Sequence, residues 1–126
     1  MSVRVMVVDD TDHVRTMLAE MLELDGFEVV ARAASGEQAV AEVGTTDPHV
    51  VVMDLKMPGM DGLETTRRIK AERPDQPVIL YTAYLDPVIE QEARAVGVTL
   101  CLGKIDGLHE LERQISRLTL ELAGDA

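Results

Sequence analysis

Five short apolar runs, each followed by a stretch of helical spacing, constrain this chain more than any other feature of its sequence. The runs cover residues 3–8, 29–33, 49–53, 78–82 and 98–102. Val5-Met6-Val7-Val8 and Val50-Val51-Val52 are near-continuous and mostly β-branched, which suits central strands buried on both faces. The run at 29–33 follows Glu28 and contains Arg32, and it reads as an edge strand. A chain of 126 residues has room for one compact core and not for two. The expectation is a single domain over 1–126, with its core over about 3–122.

The segments between the runs carry helix signals. Val14, Met17, Leu18, Met21 and Leu22 form one stripe, closed by Asp25-Gly26. Ser35 and Gln38 have capping-box spacing ahead of Ala39, Val40 and Val43. Asp61-Gly62 opens a third helix that runs to about Arg73 and stops at Pro74. Asp86-Pro87 is an N-cap with a first-turn proline, and Gly97 ends that helix. Leu108, Leu111, Ile115, Leu118 and Leu122 space a fifth, mainly as core packing, with Leu120 left for a partner surface. An alternating βα order with right-handed crossovers predicts an α/β fold with helices on both faces of a parallel sheet, strand order 2-1-3-4-5.

In such a sheet the ligand site lies beyond the carboxyl ends of the strands, near the switch point between strands 1 and 3. The polar residues there are Asp9-Asp10 after the first strand, Asp54 after the third, Thr82 ending the fourth and Lys104 after the fifth. Each has an ordinary alternative: a polar helix start, a strand-end acid, a β-branched strand residue, a solvated lysine. Their convergence on one rim favours chemistry. Two carboxylates 4 Å apart repel by about 4 kcal/mol at an effective dielectric of about 20, so a cation must offset them. Mg²⁺ on Asp10 and Asp54 does so with oxygen ligands, and Lys104 adds a movable positive charge. Asp54 is then placed to attack phosphorus, with Lys104 and the Thr82 hydroxyl neutralising phosphoryl oxygens. Asp9 either holds metal-bound water or orients Lys104.

Composition narrows the partners. A net charge of −11 leaves no clustered cations for phosphate contacts, which argues against direct nucleic-acid binding. No signal-peptide layout and no membrane-length apolar stretch are present, so the expectation is a cytoplasmic protein without membrane contact. The single cysteine, Cys101, excludes an internal disulfide and reads as a small apolar strand residue.

The motifs strongly resemble the receiver domains of two-component response regulators. They are Val5-Met6-Val7-Val8-Asp9-Asp10, the run Val51-Val52-Met53-Asp54-Leu55-Lys56-Met57-Pro58-Gly59-Met60-Asp61-Gly62, Leu80-Tyr81-Thr82-Ala83, Gly97 and Lys104. The resemblance implies a flavodoxin-like (βα)₅ three-layer sandwich that acts as a phosphoacceptor switch and not as an enzyme on an external substrate. It implies that Asp54 accepts the phosphoryl group, that Asp9 and Asp10 form the acidic pocket, and that the carbonyl of Lys56 is a further Mg²⁺ ligand. Thr82 turns toward the phosphoryl group and Lys104 pairs with it. The donor is a phosphohistidine on a sensor histidine kinase or phosphotransfer protein, with acetyl phosphate as a substitute. The output is an effector protein or an effector domain outside this sequence. It is reached through the face of the fourth helix, fifth strand and fifth helix, a face that also offers a homodimer contact.

Two positions depart from the family pattern. Cys101 stands where receivers often carry Tyr or Phe, and Ile105 follows Lys104 where a cis proline is common. A non-proline cis bond costs about 3 kcal/mol, so a trans bond and a different local loop are expected. Lys56 and Tyr84 each lie two residues beyond a site residue, where their side chains shield an acyl phosphate from water. Three rival readings compete with this one. A pseudo-receiver that binds partners without phosphorylation is disfavoured by the intact set Asp9, Asp10, Asp54, Thr82 and Lys104. A Mg²⁺-dependent aspartyl phosphatase wants an acid where Lys56 stands. A flavin carrier wants aromatic residues beyond Phe27, Tyr81 and Tyr84, and Trp is absent.

Overall fold

The computed structural model describes residues 2–124, with side chains through Leu120. Its elements alternate throughout: β1 (Arg4–Val8), α1 (Asp12–Leu24), β2 (Glu28–Ala33), α2 (Gly36–Thr46), β3 (Val50–Met53), α3 (Gly62–Glu72), β4 (Val78–Thr82), α4 (Pro87–Val96), β5 (Leu100–Gly103) and α5 (Leu108–Gly124). A 3-10 turn, Lys104–Asp106, joins β5 to α5. The five strands are parallel in the order β2-β1-β3-β4-β5, as the run pattern predicts, with β2 on an edge.

Successive strand residues face opposite sides of a sheet, so the continuous apolar runs fill two cores. Met6 and Val8 of β1, Val51 and Met53 of β3, and Leu80 of β4 pack with Ala39, Val43, Ile69 and Ala93 of α2, α3 and α4. Val5, Val7, Val50, Val52 and Ile79 pack on the other side with Leu18, Ala19 and Leu22 of α1 and Leu111 and Ile115 of α5. The helix ends follow the sequence signals: Asp61 and Asp86 accept the backbone N–H of Glu64 and Ile89, and Gly26 and Gly97 adopt positive φ.

Several expectations need correction. Met17 is 59% exposed and Met21 40%, so α1 rests on Leu18, Ala19 and Leu22 instead of the wider stripe. With Leu18, Ala19 and Leu22 turned to the sheet, both methionines lie toward the solvent side of the helix. The fifth strand spans residues 100–103, because Thr99 bonds its backbone N–H and its hydroxyl to the two backbone groups of Val78 before the regular ladder begins. Gln38 closes its box on the N–H of Ala34 and not of Ser35. Leu108 and Leu118 are half-buried, Leu120 is 71% exposed, and the side chain of Leu122 lies outside the described residues. No peptide bond among the described residues is cis.

Gly62 has a packing role that the helix-start signal does not convey. Its N–H donates to the carbonyl of Leu55 at 2.8 Å, bringing the first turn of α3 onto the backbone that follows β3. A Cβ at this position collides with the carbonyl oxygen of Asp54. Main chain cannot yield as a flexible side chain does, so Gly62→Ala is expected to cost about 2–3 kcal/mol in denaturant unfolding. A loss under about 0.5 kcal/mol contradicts the rigid contact.

Candidate functional site

The β2-β1-β3-β4-β5 order brings the carboxyl ends of β1 and β3 side by side, in register Val8 to Met53. Asp9, Asp10 and Asp54 continue those strands, and one carboxylate oxygen from each lies within 4.8 Å of the others. Asp54 N–H donates to the carbonyl of Val8 at 3.0 Å, and its Oδ1 accepts the N–H of Leu55 at 2.9 Å. Its side chain is only 12% exposed. Asp9 is deeper still: its Oδ1 accepts the N–H of Thr11 at 2.9 Å and its Oδ2 faces Lys104 Nζ at 3.1 Å. Lys104 also lies 3.8 Å from Asp54 Oδ1. Asp9 is thus in direct contact with the lysine.

Burial pushes the Asp54 carboxyl up to about 6. Lys104 and the Leu55 N–H oppose that rise, while Asp9 and Asp10 add to it. The acids therefore form a strained anionic pocket that one lysine only partly compensates. Three carboxylates on neighbouring strand ends are hard oxygen donors of the kind that suits Mg²⁺, an ion that keeps part of its water shell.

Thr82 is fully buried at the end of β4, and its hydroxyl oxygen accepts the N–H of Tyr84 at 3.1 Å. Tyr84 is half-exposed, with Lys56 Nζ 4.8 Å from its ring centroid. This contact bridges the loop after β3 and the loop after β4. Lys56 is exposed, and its carbonyl belongs to the same loop as Asp54. Cys101 is half-buried against the core on the α4 side, and burial raises its thiol above the ordinary range.

Arg15 is a site neighbour that the sequence pattern does not mark. It donates to the carbonyl of Asp9 at 2.8 Å and pairs with Asp12 at 2.6 Å, clamping the chain between β1 and α1. A cation six residues after an acid has no local signature; only the turn into α1 brings the two together.

The chain belongs to the response regulator receiver domain family, whose model matches residues 5–116. Receiver domains take a phosphoryl group on aspartate, bind Mg²⁺ at an acidic pocket, and work between histidine kinases and effector domains. Response regulator GacA of Pseudomonas protegens is 40% identical over 114 residues, 90% of this chain and 54% of that protein. The protein-glutamate methylesterase/protein-glutamine glutaminase of Natronomonas pharaonis is 51% identical over 80 residues, 64% of this chain and 22% of that protein. The chain thus spans about half the length, or less, of these relatives. Among solved structures, a LuxR-family two-component response regulator from Aurantimonas has a TM-score of 0.90 at 31% identity, covering 98% of this chain and 87% of the other. Chemotaxis protein CheY4 of Vibrio cholerae has a TM-score of 0.87 at 29% identity, covering 94% and 99%.

The raised Asp54 carboxyl gives a pH prediction for the metal-free protein. Between the ordinary carboxylate range and about 6, the folded state binds more protons at this site than the unfolded state. Acidification through that window therefore adds stability, and the charge opposes folding above it. In chelator-treated protein, Asp54→Asn is expected to raise unfolding stability at pH 7.5 by about 1–2 kcal/mol, a figure discounted for the solvent that reaches the pocket. The gain disappears near pH 4. A difference that does not change between the two pH values contradicts a raised carboxyl.

Proposed function

We propose that Asp54 is the phosphoacceptor of this receiver domain and that Asp9, Asp10 and Lys104 prepare it. The supporting observation is the spacing of the four groups: three carboxylates within 4.8 Å, with one ammonium 3.1 Å from Asp9 and 3.8 Å from Asp54. Asp10 and Asp54, with the carbonyl of Lys56, are the groups assigned to hold Mg²⁺. Bound there, the ion offsets the clustered negative charge and polarises the phosphoryl oxygens.

The reaction is an in-line displacement. An oxygen of Asp54 forms the new bond to phosphorus as the bond from phosphorus to the donor breaks, and the electron pair leaves with the donor nitrogen or oxygen. Burial makes the carboxylate poorly solvated, which strengthens its interactions with Lys104 and with the incoming group. The Thr82 hydroxyl oxygen accepts the Tyr84 N–H while its own proton can be donated to a phosphoryl oxygen, so a turn of the hydroxyl toward that oxygen is felt in the loop leading to α4. That loop borders the face of α4, β5 and α5, which we assign to an effector, on another protein or on the same polypeptide, and to a homodimer contact.

The phosphoryl donor is assigned as a histidine kinase or phosphotransfer protein, and the working compartment as the cytoplasm. Among the described residues no helix is long and apolar enough to cross a membrane. Residues 1–126 are read as one receiver unit, with no reaction on an outside substrate.

Incubation with Mg²⁺ and acetyl phosphate is expected to add one phosphoryl group by intact mass, and Asp54→Asn to add none. Label retained in the Asn variant rejects Asp54, and no label with several donors in wild type favours a partner-binding role without phosphorylation. The Lys56–Tyr84 contact is assigned to shielding the acyl phosphate. An exposed contact of this kind is worth about 0.5–1 kcal/mol, so Lys56→Ala is expected to hasten dephosphorylation roughly two- to fivefold. Equal decay rates remove that role.

A further inference from the structure

Lys104 meets acids that lie two and three strands away. A side chain on a strand stands roughly perpendicular to its sheet. Lys104 instead has to run across the end of β4 to reach Asp54 on β3 and Asp9 on β1. It does so because the chain leaves the strand at Gly103, and Lys104 is the first residue of the 3-10 turn Lys104–Asp106. The direction of the lysine is thus set by a three-residue turn with inherently poor hydrogen-bond geometry.

Burial does not hold that turn. Ile105 at its centre is 97% exposed, and Asp106 is also exposed. Two hydrogen bonds close it. The Asp106 Oδ2 accepts the N–H of Gly103 at 3.2 Å, and the carbonyl of Lys104 accepts the N–H of Gly107 at 3.1 Å. Gly103 is buried and pairs with Thr82 on β4, so the Asp106 carboxylate ties the turn to the sheet itself. Gly107, at φ +88, then redirects the chain into α5. A third residue reaching back to the N–H before the first is the way a side chain secures a turn start.

We infer that Asp106 is a positioning residue for Lys104, its carboxylate closing the turn that aims the ammonium at Asp9 and Asp54. The inference deepens the proposed reading of the site and uses it only where phosphorylation is measured. Asp106 touches no reacting atom. It acts through the backbone of Lys104, and it acts as a hydrogen-bond acceptor, not as a charge. Asn keeps a side-chain oxygen in the same place and removes the charge; Ala removes both.

The test compares wild type with Asp106→Ala, Asp106→Asn, Lys104→Ala and the double Ala variant, using two readouts. The first is the carboxyl-carbon NMR resonance of Asp9 in metal-free protein, which reports the lysine without any phosphorylation. Asp106→Ala is expected to shift it in the direction that Lys104→Ala does, and Asp106→Asn to leave it near wild type. The second is the rate of labelling by acetyl phosphate with Mg²⁺. Loss of one turn-closing hydrogen bond predicts a roughly three- to tenfold slower rate in Asp106→Ala, with Asp106→Asn close to wild type and no further loss from Asp106→Ala once Lys104 is Ala. Slow amide exchange in β4 checks that the variants remain folded. An unmoved Asp9 resonance in Asp106→Ala overturns the inference, as does an Asn variant that behaves like Ala, or rate losses that multiply in the double variant. Failure of the wild type to accept label while the Asp9 resonance still follows Asp106 overturns the phosphoacceptor reading alone and leaves the positioning role supported.

Discussion

The opposition of Lys104 to three clustered carboxylates, one buried and two half-buried, is the interaction on which the functional end of this molecule depends. Asp9 is 2% exposed, and the ammonium reaches it at 3.1 Å. One positive charge cannot neutralise three acids, and the residue most affected is Asp54, where burial outweighs the lysine and holds the carboxyl up at about 6. The arrangement is a reservoir of unfavourable electrostatics that a divalent cation, together with the lysine, is suited to discharge. This is the physical form of a switch at rest: the site is built for charges that arrive later.

The rest of the fold keeps the acids from moving apart. Parallel strands buried on both faces place their carboxyl ends on one rim, and the two cores press the sheet between α1 and α5 on one side and α2, α3 and α4 on the other. Gly62 lets α3 sit against the carbonyl of Asp54, and Arg15 clamps the carbonyl of Asp9. At the opposite rim, Arg4 and Arg73 both meet Asp47, whose φ of 45° is unusual for a residue with a Cβ. Those ion pairs stitch the starts of β1 and β3 to the end of α3. They lie far from the acids, and their part is structural.

Between the rigid pocket and the surface lie smaller contacts. Thr82 bonds to the Tyr84 N–H, Tyr84 receives Lys56 over its ring, and the loop then becomes α4 through the Asp86 cap. Each is weak alone. Together they form a short path of groups that have to rearrange if Thr82 changes partner, which is what a two-state element needs.

Much of this was legible in the sequence, because its signals are local. β-Branched runs of four to six residues declare buried strands, Asp-Gly and Asp-Pro pairs declare helix ends, and the alternation of the two leaves one simple strand order. The acids at the ends of the first and third runs follow directly from that order. What remained hidden depends on contacts between distant residues. The stripe on α1 did not reveal that Met17 and Met21 face outward, since the burial of Leu18, Ala19 and Leu22 against the sheet settles which side of the helix is inside. The contact between Asp9 and a lysine 95 residues away has no local signature either. Arg15, Gly62 and Asp106 carry no motif for the contacts they make. The sequence by itself determined which residues would stand on the rim. Only the tertiary structure decided how their charges are shared, because burial and Coulomb interaction depend on distances that no local pattern encodes.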